Sequence, residues 1–89
     1  MILDISKIAI PSHPGIYIMK DSDDKILYIG KAKNLKNRVK SYFLKNQNYK
    51  TQKLVEKISD IEFVLTDNEE EAFLLEANMI KRYRSFAGG

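Results

Sequence analysis

Two tyrosines, an arginine and a glutamate are the residues of this chain best suited to chemistry. Tyr17 and Tyr28 sit in the runs Gly15-Ile16-Tyr17 and Tyr28-Ile29-Gly30, with ten residues between them. The polar stretch Asp21-Ser22-Asp23-Asp24 reads as a turn joining two strands. A symmetric hairpin about Ser22-Asp23 pairs residues whose numbers sum to 45, so Tyr17 and Tyr28 become direct cross-strand neighbours on one face. A one-residue bulge would separate them. Lys31, Lys33 and Arg38 follow at once, which makes a small polar site. The Arg38 guanidinium is a planar fork that suits two phosphate oxygens, or a long cation laid along an apolar face. Glu76 stands between Phe73 and Ile80 on a helical stripe that must pack on the sheet. An acid there needs a cation, a metal ion or an edge position open to water.

The elements that position these groups follow from periodicity. Residues 3–10 can hold a short helix, stopped by Pro11 and Pro14. Gly15 to Lys20 and Lys25 to Ile29 read as strands, the second broken by Gly30. Asn34 is a candidate N-cap for a helix to about Leu44, with Leu35, Val39, Tyr42 and Phe43 as its buried stripe. A second helix, about Lys50 to Ser59, buries Leu54, Val55 and Ile58 and turns Lys50, Lys53 and Lys57 to solvent. Ile61 to Thr66 reads as a third strand, with Ile61, Phe63 and Leu65 on one face and Glu62 and Val64 on the other. Asn68 with Glu71 is a capping-box pattern opening the last helix. The expected fold is α+β: a small, mainly antiparallel three-stranded sheet flanked by helices in the order ββααβα.

The chain has 89 residues, which suits one domain with a core at about 11–84. It has no cysteine and one histidine, His13, between two prolines, so it offers neither disulfides nor a zinc constellation. No apolar run is long enough for a membrane span, and a cytoplasmic setting fits the composition. The net charge of +3 conceals an asymmetry. Residues 31–57 carry nine Lys or Arg against Glu56 alone, and residues 60–76 carry seven acids and no base. The basic middle has the footprint of a polyanion-binding surface, with a solvated helix face as the plainer reading.

The combination resembles a known family. Gly15-Ile16-Tyr17 and Tyr28-Ile29-Gly30 match both halves of the motif that names the GIY-YIG nuclease superfamily, and Gly30 to Leu35, Arg38 and Ser41-Tyr42-Phe43 continue it. The segment from Asn68 to Lys81 is similar to the one carrying that family's metal-binding glutamate. Within the superfamily the chain is most similar to the N-terminal nuclease domain of the UvrC type, over about residues 11–84.

The resemblance implies a metal-dependent DNA endonuclease that hydrolyses one phosphodiester bond, the 3′ incision of nucleotide excision repair. The catalytic set would be Tyr17, Tyr28, Lys31, Arg38 and Glu76. Glu76 would be the ligand of one Mg²⁺ or Mn²⁺, and either tyrosine would be the base, its pKa lowered by nearby cations. Lys33, Lys36, Lys40, Lys50, Lys53 and Lys57 would track DNA. The implied partners are damaged duplex DNA, UvrB and, indirectly, UvrA. The isolated domain is expected to be a monomer and a fragment of a longer protein. One departure stands out: the proline and asparagine usual after the basic cluster are replaced by Ser85-Phe86-Ala87-Gly88-Gly89. A stand-alone GIY-YIG repair or mobile-element nuclease and a catalytically silent nucleic-acid-binding module are the alternatives.

Overall fold

The computed structural model describes residues 3–86, with side chains described to residue 83. The element order matches the expected ββααβα. After a 3₁₀ turn at Ile5–Lys7 come β1 (Gly15–Lys20), β2 (Ile26–Ala32), α1 (Leu35–Tyr42), α2 (Tyr49–Lys57), β3 (Asp60–Leu65) and α3 (Glu69–Phe86). The strands form one antiparallel sheet in the order β2-β1-β3. Expectations for the last residues, from Ala87 on, lie outside the described part.

The hairpin register differs from the symmetric one. Asp21 ties a five-residue loop, its carboxylate accepting from the Asp23 and Lys25 amides at 2.9 Å each, and Asp24 takes a positive φ of 63°. Lys20 then pairs with Ile26, and Leu27 bulges, so that Met19 meets Tyr28 and Tyr17 meets Gly30. The total offset is two residues rather than one. Tyr17 and Tyr28 therefore keep a common face, as diagonal rather than direct neighbours.

Nor does Gly30 break β2, which continues to Ala32. A Cβ at position 30 would collide with the Tyr17 phenol, which lies across this point of the strand. Gly15 answers a similar need on the other side of β1, where a Cβ would strike the Val64 carbonyl of β3. The two glycines thus let three strands and one large ring approach closely.

The starts of α1 and α3 follow the expected caps, and Asn48 supplies a third cap. The Asn34 side chain accepts from the Asn37 amide at 3.1 Å, and Asn48 caps α2 through Thr51 at 2.8 Å. Asn68 accepts from the Glu71 amide, while the Glu71 carboxylate reaches back to the Asp67 amide, both at 2.8 Å. Each sheet face has its own core. Tyr17, Met19 and Ile61 pack with Leu35 and Val39 of α1 and with Ile58 after α2. On the opposite face Ile16, Ile18 and Ile29 pack with Ala72, Leu75, Met79 and Ile80 of α3. Phe73 does not share that buried stripe. It is 53% exposed, because α3 presents the 72/75/79 side of its surface to the sheet.

Candidate active site

β2 lies at an edge of the sheet, so no further strand separates the two helical layers beyond it. A cavity of about 620 Å³ opens there, and Tyr17, Tyr28, Lys31, Arg38 and Glu76 all line it. The phenols and Arg38 come from the α1 layer, Glu76 from α3. Lys31 stands opposite Ile16, on the α3 side of the sheet, and its ammonium lies 4.0 Å from Glu69.

Three phenols, rather than two, cluster here: Tyr17 and Tyr28 line the cavity, and Tyr42 packs against both without lining it. The Tyr17 and Tyr42 hydroxyls are 2.7 Å apart, and the Tyr17–Tyr28, Tyr17–Tyr42 and Tyr28–Tyr42 ring centroids are separated by 6.1, 5.8 and 6.3 Å. Arg38 stacks on Tyr42 with its guanidinium carbon 5.2 Å from the ring centroid. Sequence reasoning assigns Tyr42 to the buried stripe of α1 and misses its hydroxyl. The available signal is its i+4 spacing from Arg38, which places ring and guanidinium side by side. Asn34, Asn37, Ser41 and Glu69 also line the cavity and were not singled out as site residues.

The basic residues divide. Lys33 lines the cavity. Lys36 and Lys40 face a separate groove against residues 5–11, on another side of α1. Lys50, Lys53 and Lys57 lie exposed on α2, and Lys53 is engaged locally by Glu56 at 3.7 Å and by the Tyr49 ring at 5.3 Å. The structure therefore brings one of the six lysines to the cavity itself.

Electrostatics in the metal-free protein correct one expectation. Arg38 does draw the Tyr17 and Tyr28 phenols downward, but burial is the larger effect and leaves both above the ordinary tyrosine value. Tyr42 is pushed up to about 12, by burial first and then by its bond to Tyr17. The Tyr42 hydroxyl acts in the opposite sense on Tyr17, favouring its phenolate. Tyr28 is raised further by the charge of Glu76. If Tyr17 works as a base, Tyr42→Phe raises its pKa and lowers the reactive fraction at any fixed pH. The rising limb of the pH–rate profile should move to higher pH, with a roughly tenfold slower rate near pH 8. An unmoved limb would exclude this coupling.

The donor set suits a single hard cation. Glu76 is half-buried, and among the described residues no cation pairs with its carboxylate. No group of three or more His, Cys, Asp or Glu side chains converges anywhere among the described residues, so a dedicated protein cage is absent there. One carboxylate facing an open polar cavity fits Mg²⁺ or Mn²⁺, which keep several waters and commonly take one or two carboxylates with phosphate oxygens.

Known proteins share this sequence and fold. Residues 13–85 match the family model described as the UvrC-like GIY-YIG domain. The chain is 57% identical over 77 residues to UvrABC system protein C of Oenococcus oeni, and 51% identical over 75 residues to that of Moorella thermoacetica. These matches cover 86% and 84% of this chain but 13% and 12% of the relatives, so the chain spans about an eighth of their length. Its fold is similar to the GIY-YIG N-terminal endonuclease domain of UvrC from Thermotoga maritima bound to its catalytic magnesium. The TM-score is 0.75 and the identity 45%, over 84% of this chain and 82% of that one. A form of that domain with an asparagine replaced by alanine is also bound to its catalytic divalent cation. By sequence and fold, the chain belongs to the UvrC-like GIY-YIG domain family.

Proposed function

We propose that this domain is a divalent-metal-dependent DNA endonuclease that hydrolyses one phosphodiester bond, and that within a longer repair protein it makes the 3′ incision of nucleotide excision repair. The family, the fold and the magnesium-bound relative support the nuclease reading. The single observation that carries it onto this chain is the convergence of Tyr17, Tyr28, Lys31, Arg38 and Glu76 on one cavity. Damaged duplex DNA as substrate, UvrB and UvrA as loading partners and a bacterial cytoplasmic setting follow from the same reading.

Glu76 would hold the ion. When bound, such an ion supplies positive charge to the scissile phosphate and to the leaving 3′-oxygen. Arg38, at the cavity wall, neutralises charge growing on the non-bridging oxygens. Tyr17 or Tyr28 would be the base: burial opposes the phenolate of each and Arg38 favours it in each. The other phenol would order the attacking water. Lys31 and Lys33 at the rim hold the flanking phosphates as charges that read no base.

Nicking of supercoiled duplex DNA with Mg²⁺ or Mn²⁺ tests this. Arg38→Ala should slow nicking by about 10²–10³-fold, the usual loss when one transition-state charge partner is removed, with an unchanged circular dichroism spectrum. Nicking at the wild-type rate would remove Arg38 from the site. A second measurement concerns the DNA track. Log affinity should fall with log salt at about −0.9 per phosphate neutralised, and neutralising Lys50, Lys53 and Lys57 together should flatten that slope. A slope indifferent to the triple change returns α2 to the role of a solvated face.

A further inference from the structure

The acidic stretch at residues 60–76 is only partly absorbed by the site. α3 covers β2 and β1, and the face of β3 that carries Val64 is left open. Near its end Leu65 and Leu74 are 53% and 58% exposed and line one groove. Glu71, Leu74, Leu75 and Asn78, at helical spacing along α3, face Leu65 across a groove of about 490 Å³. A second hollow continues it along α3, sharing Leu75 and Asn78 and reaching Arg82. From Glu71 to Arg82 the surface runs for about 16 Å, the length of a three-turn helix. It is apolar in the middle, acidic at the Asp67–Glu71 end and basic at the Arg82 end.

We propose that this groove docks an amphipathic helix from elsewhere in the longer polypeptide that carries the domain. This rests on the reading that the domain is part of a longer protein, as its relatives are, with the matched part only 12–13% of their length. Acids at one end disfavour a nucleic acid occupant. They suit a helix lying antiparallel to α3, with its basic last turn over Glu71 and its acidic first turn over Arg82, the usual placement of charge along a helix. Strand addition is the poorer fit, because Asp60 and Glu62 are exposed on β3 and charges guard an edge against pairing. The remainder of the same polypeptide is favoured over a separate protein because tethering holds it at high effective concentration.

The test uses the full-length gene product with p-benzoyl-phenylalanine in place of Leu74. Irradiation should give a cross-link within one polypeptide, mapping to a segment with helical apolar periodicity, above a control at exposed Lys50. A cross-link to a second copy or a different protein, to a non-helical segment, or none above the control overturns the proposal, as does a gene product ending at residue 89. Leu74→Asp in the full-length protein should speed protease release of the domain about tenfold, the loss expected from one apolar anchor. Equal release rates count against docking. Nicking by the 89-residue chain should not change with Leu74→Asp. If the chain never nicks DNA but the cross-link forms, the nuclease reading fails and the docking surface stands.

Discussion

Glu76→Gln is expected to abolish metal-dependent nicking while leaving the domain folded. The substitution preserves shape and removes only the charge. Glu76 is half-buried, and no salt bridge among the described residues is lost with its charge. A neutral amide cannot replace a carboxylate as the sole protein ligand of a hard divalent cation. The rate should fall by at least about 10³-fold, since charge stabilisation of both phosphate and leaving group is lost together. Chelating the ion from wild-type protein should bring its rate to the same floor, and chelator should change nothing further in the variant. Mn²⁺ binding followed by paramagnetic resonance should disappear in parallel. A variant that still binds Mn²⁺ and nicks would move the metal away from α3.

The largest stability effect is expected at Gly15. An alanine methyl there meets the Val64 carbonyl, with Leu35 Cδ1 at 3.0 Å and Leu65 Cα at 3.2 Å. A backbone oxygen inside a strand pair cannot yield unless β1 and β3 part. The cost should be about 3 kcal/mol, the upper range for overpacking. In a domain of this size that is a fall in Tm of roughly 12–24 °C. Gly30→Ala should behave differently. Its methyl meets the outer end of the Tyr17 ring, a side chain that can swing away. The fold should lose only about 1–2 kcal/mol, but the Tyr17–Tyr42 contact is broken and nicking should fall about 10²-fold. A double-mutant cycle between Gly30→Ala and Tyr17→Ala should show coupling of at least about 1 kcal/mol. Additive losses would mean that the ring does not press on this glycine.

Local chemistry was legible in the sequence wherever one residue fixes one contact. Asn34 and Asn68 each cap a helix because a short side-chain oxygen before an apolar stripe has few other uses. Asn48 caps α2 in the same way, a role the sequence reading does not assign to it. The ββααβα order emerged from the change of period between strand and helix. Geometry set by distant partners was less accessible. The register depended on an αL Asp24 and a bulged Leu27, which no alternation pattern announces. Gly30 looked like a strand breaker because its reason, the Tyr17 ring, lies on another strand. Glu76 was conspicuous as an acid on an apolar helix, yet its meeting with the phenols required knowing that β2 is an edge. Tyr42 fitted a core stripe so well that its hydroxyl drew no notice. The balance of burial against Arg38 at the phenols required the packed protein, since sequence names the cations but not the depth at which each ring lies.

The cavity straddles the rim of the sheet, so its acid and its phenols belong to opposite layers. A chain that has built only one layer holds half a site. On the proposed reading, hydrolytic competence would belong only to the completed assembly of both layers.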